Sequence, residues 1–155
     1  MRVLCAIGNR GGPEIVQRVA ERLSTEIELL LLHVVDSGPR HDLKHLIKGL
    51  RHGATPEHVR RGELAAAEDS TGKASLTEAE EAARAAGFGV RASLVRGRPE
   101  ELILKVANDE AVSLICISAR EGAEGHPHIG PASVGHTARF VLDHAPCDVL
   151  LLREI

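Results

Sequence analysis

The amino-acid sequence predicts an α/β protein in which helices cover both faces of a parallel β-sheet. Five short apolar segments are spaced along the chain, and stretches with helical periodicity lie between them. The apolar segments are mostly continuous rather than alternating, as expected for strands that are buried on both faces. No internal repeat or linker divides the 155 residues. We therefore expect a single domain over residues 1–155.

The first two strands and the helix between them have the clearest pattern. Val3–Ile7 is predicted to be a buried strand, and Gly8–Gly12 turns the chain. Pro13 suits the first turn of a helix, because its missing N–H needs no partner there. Ile27–Val35 is a long apolar run and is predicted to be the second strand. The helix between the two strands has one apolar face, formed by Ile15, Val16, Val19, Ala20 and Leu23.

The middle of the chain is the least regular part. We interpret residues 37–74 as a variable crossover insertion, in which Asp42–Arg51 has an amphipathic pattern. Asp69–Gly72 has the composition of a turn. Ser75–Glu78 matches a capping box ahead of an alanine-rich helix that Gly87 would end.

The last third repeats the alternation of strand and helix. Val90–Val95 and Leu114–Ile117 are predicted strands, separated by a helix that begins near Pro99. A second amphipathic helix covers residues 134–142, and Val149–Leu152 is the closing strand. A loop with several glycines precedes that last helix. A glycine loop between a parallel strand and a helix leaves backbone N–H groups free, which favours an anion such as phosphate.

Several motifs resemble the universal stress protein family. Gly122-x2-Gly125-x9-Gly135 matches that family's nucleotide loop, in which a serine or threonine follows the third glycine. His144–Arg153 looks like its closing segment, and Val95–Ile103 like its entry into the third helix. The resemblance covers nearly the whole chain and weakens only between residues 37 and 72.

This resemblance implies a Rossmann-like three-layer α/β/α fold with a five-stranded parallel sheet in the order 3-2-1-4-5. The order reverses between strands 1 and 4, and open α/β sheets bind ligands beyond the carboxyl ends of such strands. The Gly8–Pro13 turn and the Ser118–Gly135 loop would then face one crevice. The implied ligand is ATP or a related adenine nucleotide, with adenine near Ile7 and Val34. The candidate nucleotide-binding residues are Ile7, Gly8, Asn9, Val34, Ser118, Gly122, Gly125, Gly135, His136 and Thr137.

The chain departs from the family pattern at both ends of this crevice. Nucleotide-binding members have Asp-Gly-Ser after the first strand, whereas this chain has Gly8, Asn9 and Arg10. His136 stands where serine or threonine would donate a hydroxyl to phosphate. An alignment anchored on the fourth strand would instead place the first two loop glycines at Ser118 and Glu121. Positive charge could compensate through Arg10, Arg120, His126, His128, His136 and Arg139.

Two functions follow. The first is a universal stress protein-like module that binds an adenine nucleotide in a stress or regulatory role. The alternative is a nucleotide-independent dimeric stress or adaptor protein with a vestigial crevice. Under both we expect a homodimer through Val149–Leu152, because this strand would otherwise be an unprotected apolar edge. We predict no catalytic residues, and at most slow, incidental ATP hydrolysis.

Composition argues against several other classes of function. A net charge of −3 and two aromatic residues provide neither a basic surface nor a stacking platform for nucleic acid. The apolar start is too short for a signal peptide and no run reaches membrane length, so we expect a cytoplasmic protein. Three cysteines without a C-x-x-C motif suggest buried free thiols.

Three further patterns are interpreted as structural. His41, His45 and His52 share one side of the predicted Asp42–Arg51 helix and are assigned to a solvated face. His126 and His128 could form a metal corner with His136, but no metal site is predicted. Gly130–Gly135 has one residue too many before its serine to be a hydrolase nucleophile elbow.

Overall fold

The computed structural model describes residues 1–36, 57–119 and 134–153. In these ranges strands alternate with helices, as the sequence predicts. The order along the chain is β1 (Arg2–Ile7), α1 (Gly12–Ala20), β2 (Glu28–Asp36), α2 (Glu57–Ala85), β3 (Gly89–Gly97), α3 (Pro99–Asp109), β4 (Leu114–Ser118), α4 (His136–His144) and β5 (Asp148–Leu152).

The strands form one parallel sheet in the order β3-β2-β1-β4-β5, which confirms the predicted architecture. The order reverses beside β1, so β1 and β4 flank the switch point of the sheet. All strands run in the same direction, and their carboxyl ends therefore lie along one edge. No helix in the described ranges is long and apolar enough to cross a membrane.

Side chains alternate between two cores, one on each face of the sheet. On what we call the α1/α2 face, Val3, Cys5 and Ile7 of β1 pack against apolar residues of α1 and α2. On the opposite α3/α4 face, Leu4 and Leu32 pack against apolar residues of α3 and α4. The period-two alternation of a strand explains this division, and the two cores make the predicted three layers.

Helix α2 differs from the prediction. Asp69–Gly72 is helical rather than a turn, and Ser75–Glu78 lies inside the helix rather than at its beginning. The capping-box prediction is therefore wrong, and the Ser75 hydroxyl is buried without a hydrogen-bond partner. Tertiary packing overrides the local turn propensity here. The predicted Asp42–Arg51 helix and its histidines lie outside the described residues.

Two glycines let α2 lie close to its neighbours. A Cβ atom on Gly12 of α1 would lie 2.4 Å from the Ser75 carbonyl oxygen. A Cβ atom on Gly72 would lie 2.0 Å from Nε2 of His33 on β2. Both distances are far inside van der Waals contact, so only glycine fits at either position. The long crossover helix is thus seated directly on α1 and β2, next to the carboxyl edge of the sheet.

At the opposite edge, four charged side chains form a closed network. The Arg2 guanidinium donates to Glu28, 2.9 Å away, and Arg91 donates to the other Glu28 oxygen at 2.8 Å. Arg91 also donates to the Glu110 carboxylate at 2.8 Å, which lies 3.6 Å from Arg2. The hydrogen bond from Arg2, followed by that from Arg91, lowers the pKa of Glu28 below its usual value of 4.5. The network joins the starts of β1, β2 and β3 to the end of α3.

We expect Glu28→Gln to reduce stability at pH 7 and to have a smaller effect at pH 3. A carboxylate whose pKa is lower in the folded state stabilises above the unfolded pKa, and this contribution is lost as pH falls through the folded pKa. Urea unfolding at both pH values measures the difference, with Glu26→Gln on the same exposed edge as the control. An equal loss at both pH values would show that the charge of Glu28 is not responsible.

Candidate functional site

The ends of β1, β2 and β4 meet at the switch point. Ile7 at the end of β1 pairs with His33 of β2, while Ala6 pairs with Ile117, one residue before Ser118 ends β4. Gly8, Asn9 and Arg10 follow β1 and are exposed. Gly11 then adopts a left-handed conformation with φ 75° and turns the chain into α1.

His33 fixes the end of β1. Its side chain is 2% exposed, and Nδ1 lies 2.8 Å from the Ile7 carbonyl oxygen. A carbonyl oxygen can only accept, so Nδ1 carries the hydrogen and donates it. The other edge of the ring faces Gly72 of α2. The buried imidazole of His33 therefore contacts β1, to which it is hydrogen-bonded, and α2. These contacts lie directly beneath the candidate site.

A cleft of about 480 Å³ opens beside the switch point on the α1/α2 face. It brings the β1–α1 turn and the end of β4 to one space. Residues 120–133 of the loop that was expected to share this crevice lie outside the described residues. Arg18 and Arg22 on its wall are already held, by the Arg153 carbonyl oxygen at 2.5 Å and the Arg18 carbonyl oxygen at 2.6 Å. The described lining residues are Arg10, Gly11, Glu14, Ile15, Arg18, Glu21, Arg22, Ser118 and Leu152.

Arg10 differs from the other two arginines of the cleft. Its side chain is exposed, and no partner among the described residues holds its guanidinium. An unpaired guanidinium presents a planar set of donors that can grip a phosphate or carboxylate through two hydrogen bonds. Arg10 is therefore the side chain of this cleft that is available to an anionic ligand.

The start of α4 lies across the sheet, on the α3/α4 face. Gly135 precedes the helix with φ 86° and ψ 160° and, as a glycine, has no side chain with which to cap it. His136 is 80% exposed, whereas Thr137 is half-buried. The first N–H groups of a helix have no partner within it, and the helix dipole adds positive potential there. The start of α4 can therefore bind an anion.

A second helix begins next to it. Arg98 precedes α3 without a side-chain cap, and its guanidinium pairs with Glu101 at 3.0 Å. This hydrogen bond raises the pKa of Arg98. Glu100 reaches across to α4, where its Oε1 lies 3.8 Å from Nε2 of His136. The starts of α3 and α4 thus converge at the carboxyl edge of the sheet.

The structure separates some predicted site residues and joins others. Ile7 is 4% exposed within the core of the α1/α2 face, whereas Val34 packs on the α3/α4 face, so their side chains do not line the same surface. Ser118 shares the cleft with Arg10. Gly135, His136 and Thr137 all stand at the start of α4, while Gly122 and Gly125 lie outside the described residues.

The buried cysteines do not form a reactive site. Cys5 and Cys116 are opposite each other on β1 and β4, and both are fully buried. Hydrogen bonding between the two thiols, reinforced by burial, raises the pKa of Cys5 well above its ordinary value. A protonated thiol is a poor nucleophile. This pair is a packing feature at the centre of the sheet.

Sequence reasoning missed His33 and Glu100 as site residues. His33 follows four leucines in the second strand, and a histidine in such a run signals a buried polar contact near the strand end. Glu100 is one of two consecutive glutamates in the first turn of a helix, where acidic residues are common. Nothing in the sequence indicates that it meets a residue 36 positions later.

Comparison with known proteins agrees with this architecture. The model of the universal stress protein family matches residues 1–153. No curated protein is significantly similar in sequence. Among solved structures, the universal stress protein UspA from Lactobacillus plantarum is 21% identical with a TM-score of 0.68, over 99% of this chain and 97% of that one.

Two further structures contain a nucleotide. A universal stress protein family protein from Arabidopsis thaliana with AMP bound is 17% identical, with a TM-score of 0.62 over 100% of this chain and 92% of that one. The universal stress protein from Archaeoglobus fulgidus in complex with dAMP is 18% identical, with a TM-score of 0.61 over 97% of this chain and 96% of that one. These likenesses show a shared fold.

Proposed function

Because the chain belongs to the universal stress protein family, we propose that it binds ATP or a related adenine nucleotide at the carboxyl edge of the sheet and serves a stress or regulatory role. The observation that carries the proposal is the start of α4 beside the switch point, where the N-cap residue is a glycine without a side chain and the helix N-terminus favours phosphate. The relatives from Arabidopsis thaliana and Archaeoglobus fulgidus, with AMP and dAMP, support the choice of ligand.

The two faces of the site suggest how the nucleotide lies. The phosphates are placed at Gly135, His136 and Thr137, with Gly122 and Gly125 assigned to the same loop. Adenine lies against Val34, which is half-buried on the same face as α4. Arg10, beyond the end of β1, supplies positive charge for the phosphates, while the carboxylate of the family's Asp-Gly-Ser has no counterpart at Gly8. Gly8, Asn9 and Ser118 border the space between.

Binding would regulate rather than catalyse. A ligand that binds one conformation of the site more tightly shifts the population toward it. In this chain the start of α4 and the His33–Gly72 contact couple the site to two helices, so the nucleotide state can change the surface that the protein presents. Its three cysteines are free thiols, consistent with our assignment to the reducing cytoplasm.

We expect the purified protein to contain an adenine nucleotide, or millimolar ATP with Mg²⁺ to raise its melting temperature. Ligand at 100 times its Kd stabilises a folded protein by about 2.7 kcal/mol. Mass spectrometry of the denatured protein and a thermal scan make these measurements. An empty preparation without a thermal shift would refute nucleotide binding and favour the alternative, a nucleotide-independent adaptor.

A double replacement provides the matched test. Gly8→Asp with His136→Ser recreates the family's carboxylate and hydroxyl, and should tighten Mg²⁺–ATP binding by about tenfold, equivalent to 1.4 kcal/mol. Both positions are exposed, so the fold should tolerate the change. Gly89→Asp, at the far edge of the sheet, is the charge control. Unchanged affinity in the double variant would argue against the proposed phosphate position.

We also propose a homodimer through β5. This strand is at the edge of the sheet, where Val149, Leu150 and Leu151 are only half-buried, and Leu142 on neighbouring α4 is 43% exposed. A two-fold partner strand would satisfy the open edge and cover these side chains.

Sedimentation at micromolar concentration should give twice the 16.6 kDa mass of one chain. Leu150→Lys should shift the protein toward monomer, because the charge would be buried in the interface. Leu94→Lys, on the opposite edge strand β3 where the side chain is 38% exposed, should leave the mass unchanged. A monomeric wild type would exclude the dimer at that concentration.

A further inference from the structure

Two charged side chains at opposite ends of β5 have no oppositely charged partner among the described residues. Asp148 begins the strand, is exposed, and forms no hydrogen bond or ion pair there. Arg18 of α1 reaches the other end, where its Nη1 donates to the Arg153 carbonyl oxygen at 2.5 Å. Five residues of a strand span about 16 Å, so this guanidinium lies far from Asp148 of the same chain.

Both side chains lie on the α1/α2 face of the sheet. Leu114, which pairs in register with Asp148, packs in the core of that face, and so does Leu150, two residues further along β5. Residues that pair in register, and alternate residues of a strand, share a face, so Asp148 is also on the α1/α2 face. Arg18 belongs to α1 and lines the cleft on this face together with Leu152.

The hydrogen bonds between β4 and β5 show which residues of β5 have open backbone groups. The Ala119 N–H donates to the Leu152 carbonyl oxygen at 2.8 Å, so Leu152 directs its backbone groups toward β4. Successive residues of a strand direct these groups to opposite sides, and Val149 and Leu151 therefore direct theirs away from β4. They provide the open hydrogen-bonding groups of this edge, to which another strand can bind.

One two-fold register uses both of these residues. A copy related by a two-fold axis perpendicular to the sheet runs antiparallel, and opposed residues share a face, so the axis passes through a residue of β5. With the axis at Leu150, Val149 of each strand pairs with Leu151 of the other, and all five residues of β5 are paired. With the axis at Val149 or Leu151, that residue pairs with itself and the other one extends beyond the opposing strand.

We propose that β5 pairs with its copy in the register centred on Leu150, and that Asp148 of the partner subunit forms an ion pair with Arg18. The inference rests on the homodimer proposed above. In this register Asp148 of the partner subunit lies opposite Leu152, next to the Arg153 carbonyl group that holds Arg18. The two opposed residues form a non-hydrogen-bonded pair, in which side chains approach most closely. The two-fold axis makes the ion pair form twice.

This contact completes the cleft on the α1/α2 face with a residue of the second copy. Arg22 already pairs with Glu21 at 3.1 Å, and Arg18 is now paired with the partner's Asp148. Of the three arginines that line the cleft, Arg10 remains available to an anionic ligand. The dimer interface and the candidate site therefore share one cleft.

An exchange of the two charges tests the ion pair. Asp148→Arg brings two arginines together at each contact, and Arg18→Asp brings two aspartates together, so each variant should raise the dimer dissociation constant about tenfold. An equimolar mixture of the two variants should recover the wild-type constant in a heterodimer, because each contact then joins an arginine to an aspartate. Sedimentation velocity with one of the two chains fluorescently labelled measures both constants.

Glu81→Arg and Lys73→Asp are the matched control variants. Both residues are exposed on α2, which packs against β2 and β3 on the far side of the sheet from β5. Neither control should change the dissociation constant, and mixing them should have no effect. Wild-type dimerisation in Asp148→Arg or Arg18→Asp would overturn the ion pair, and so would a loss in both that the mixture does not restore.

Oxidative cross-linking measures the register without changing a charge. Leu150→Cys places two thiols opposite each other at the axis, where Cα atoms about 4.5 Å apart allow a disulfide. Diamide should therefore link the Leu150→Cys dimer, as seen on a non-reducing gel. Val149→Cys and Leu151→Cys each face a different residue of the other strand and should remain unlinked. The wild type, with its half-buried Cys147, gives the background.

The results separate this register from the dimer itself. A dimeric wild type that is linked through position 149 or 151 instead of 150 would overturn the proposed register and leave the homodimer standing. A monomeric wild type would refute the homodimer and this inference together. The nucleotide proposal is tested independently of both, by the ligand content and thermal shift of the wild type.

Discussion

Gly72→Ala is expected to lower the free energy of unfolding by about 2 kcal/mol, although it adds a better helix former to the middle of α2. Helix propensity by itself predicts a gain of about 1 kcal/mol for this change. Against that gain, the new Cβ atom would lie 2.0 Å from Nε2 of His33 and 2.5 Å from its Cε1. Overpacking of this kind costs about 3 kcal/mol. The clash is larger, so the net effect is destabilising.

His33 cannot easily move away. Its ring is 2% exposed and its Nδ1 donates to the Ile7 carbonyl oxygen at 2.8 Å. The steric overlap can therefore be relieved only by displacing the end of β1 or by moving α2 away from His33. A double replacement, Gly72→Ala with His33→Ser, should recover part of the loss, because the two residues are in direct contact.

Urea unfolding of the single and double variants measures these changes. Gly89→Ala is the matched control, since a Cβ atom there meets nothing within 4 Å. We expect the control to lie within about 0.5 kcal/mol of the wild type. If Gly72→Ala were as stable as Gly89→Ala, α2 would not lie against His33 as described.

Gly135→Ala is expected to weaken ATP binding by tenfold or more and to destabilise the fold by about 2 kcal/mol. Gly135 has φ 86° and ψ 160°, a region of backbone conformation that is essentially restricted to glycine and costs other residues about 1–3 kcal/mol. Alanine would force the chain out of this conformation. The first turn of α4, with the amides proposed to hold phosphate, would move with it.

Gly87→Ala separates strain from function. Gly87 also has a positive φ, 89°, but follows α2 at the edge of the sheet away from the site. The Gly87→Ala variant should lose about as much stability as Gly135→Ala but keep the ATP affinity of the wild type. Calorimetric titration and urea unfolding of both variants provide the comparison. Equal affinity in Gly87→Ala and Gly135→Ala would contradict the assignment of phosphate to the start of α4.

The strands were predictable because their signal is local. Leu114–Ile117 and Val149–Leu152 are continuous apolar runs, and each was placed within one residue of the observed element. Both strands contribute side chains to the cores on the two faces of the parallel sheet, mostly buried in β4 and half-buried in most of β5, so an apolar composition indicates their place in the sheet.

Helix α2 was not predictable in its full length, because its sequence carries conflicting local signals. Gly72 and the Ser75–Glu78 capping pattern both indicate a helix boundary. They lie inside the helix because a glycine is needed against His33 and because the Ser75 carbonyl meets Gly12. Such requirements come from residues that are distant in sequence.

The candidate site was likewise predictable only in part. The place of the crevice followed from strand order, since β1 and β4 flank the point where the order reverses. That Ile7 and Val34 face opposite sides depends on the register between β1 and β2, in which Ile7 pairs with His33 and neighbouring residues of a strand alternate; the sequence patterns do not determine this register. The approach of Glu100 to His136 depends on how α3 and α4 pack, which no local pattern records.

The strand order also has a consequence for synthesis of the chain. Val3 in the central strand pairs with Leu114, about 110 residues later. Until the ribosome has synthesised β4, β1 can pair with β2 along one edge, while its other edge remains unpaired. Long-range parallel pairing of this kind slows folding and leaves apolar edges open to aggregation. The nascent protein therefore passes through a period when its innermost strand is its most vulnerable one.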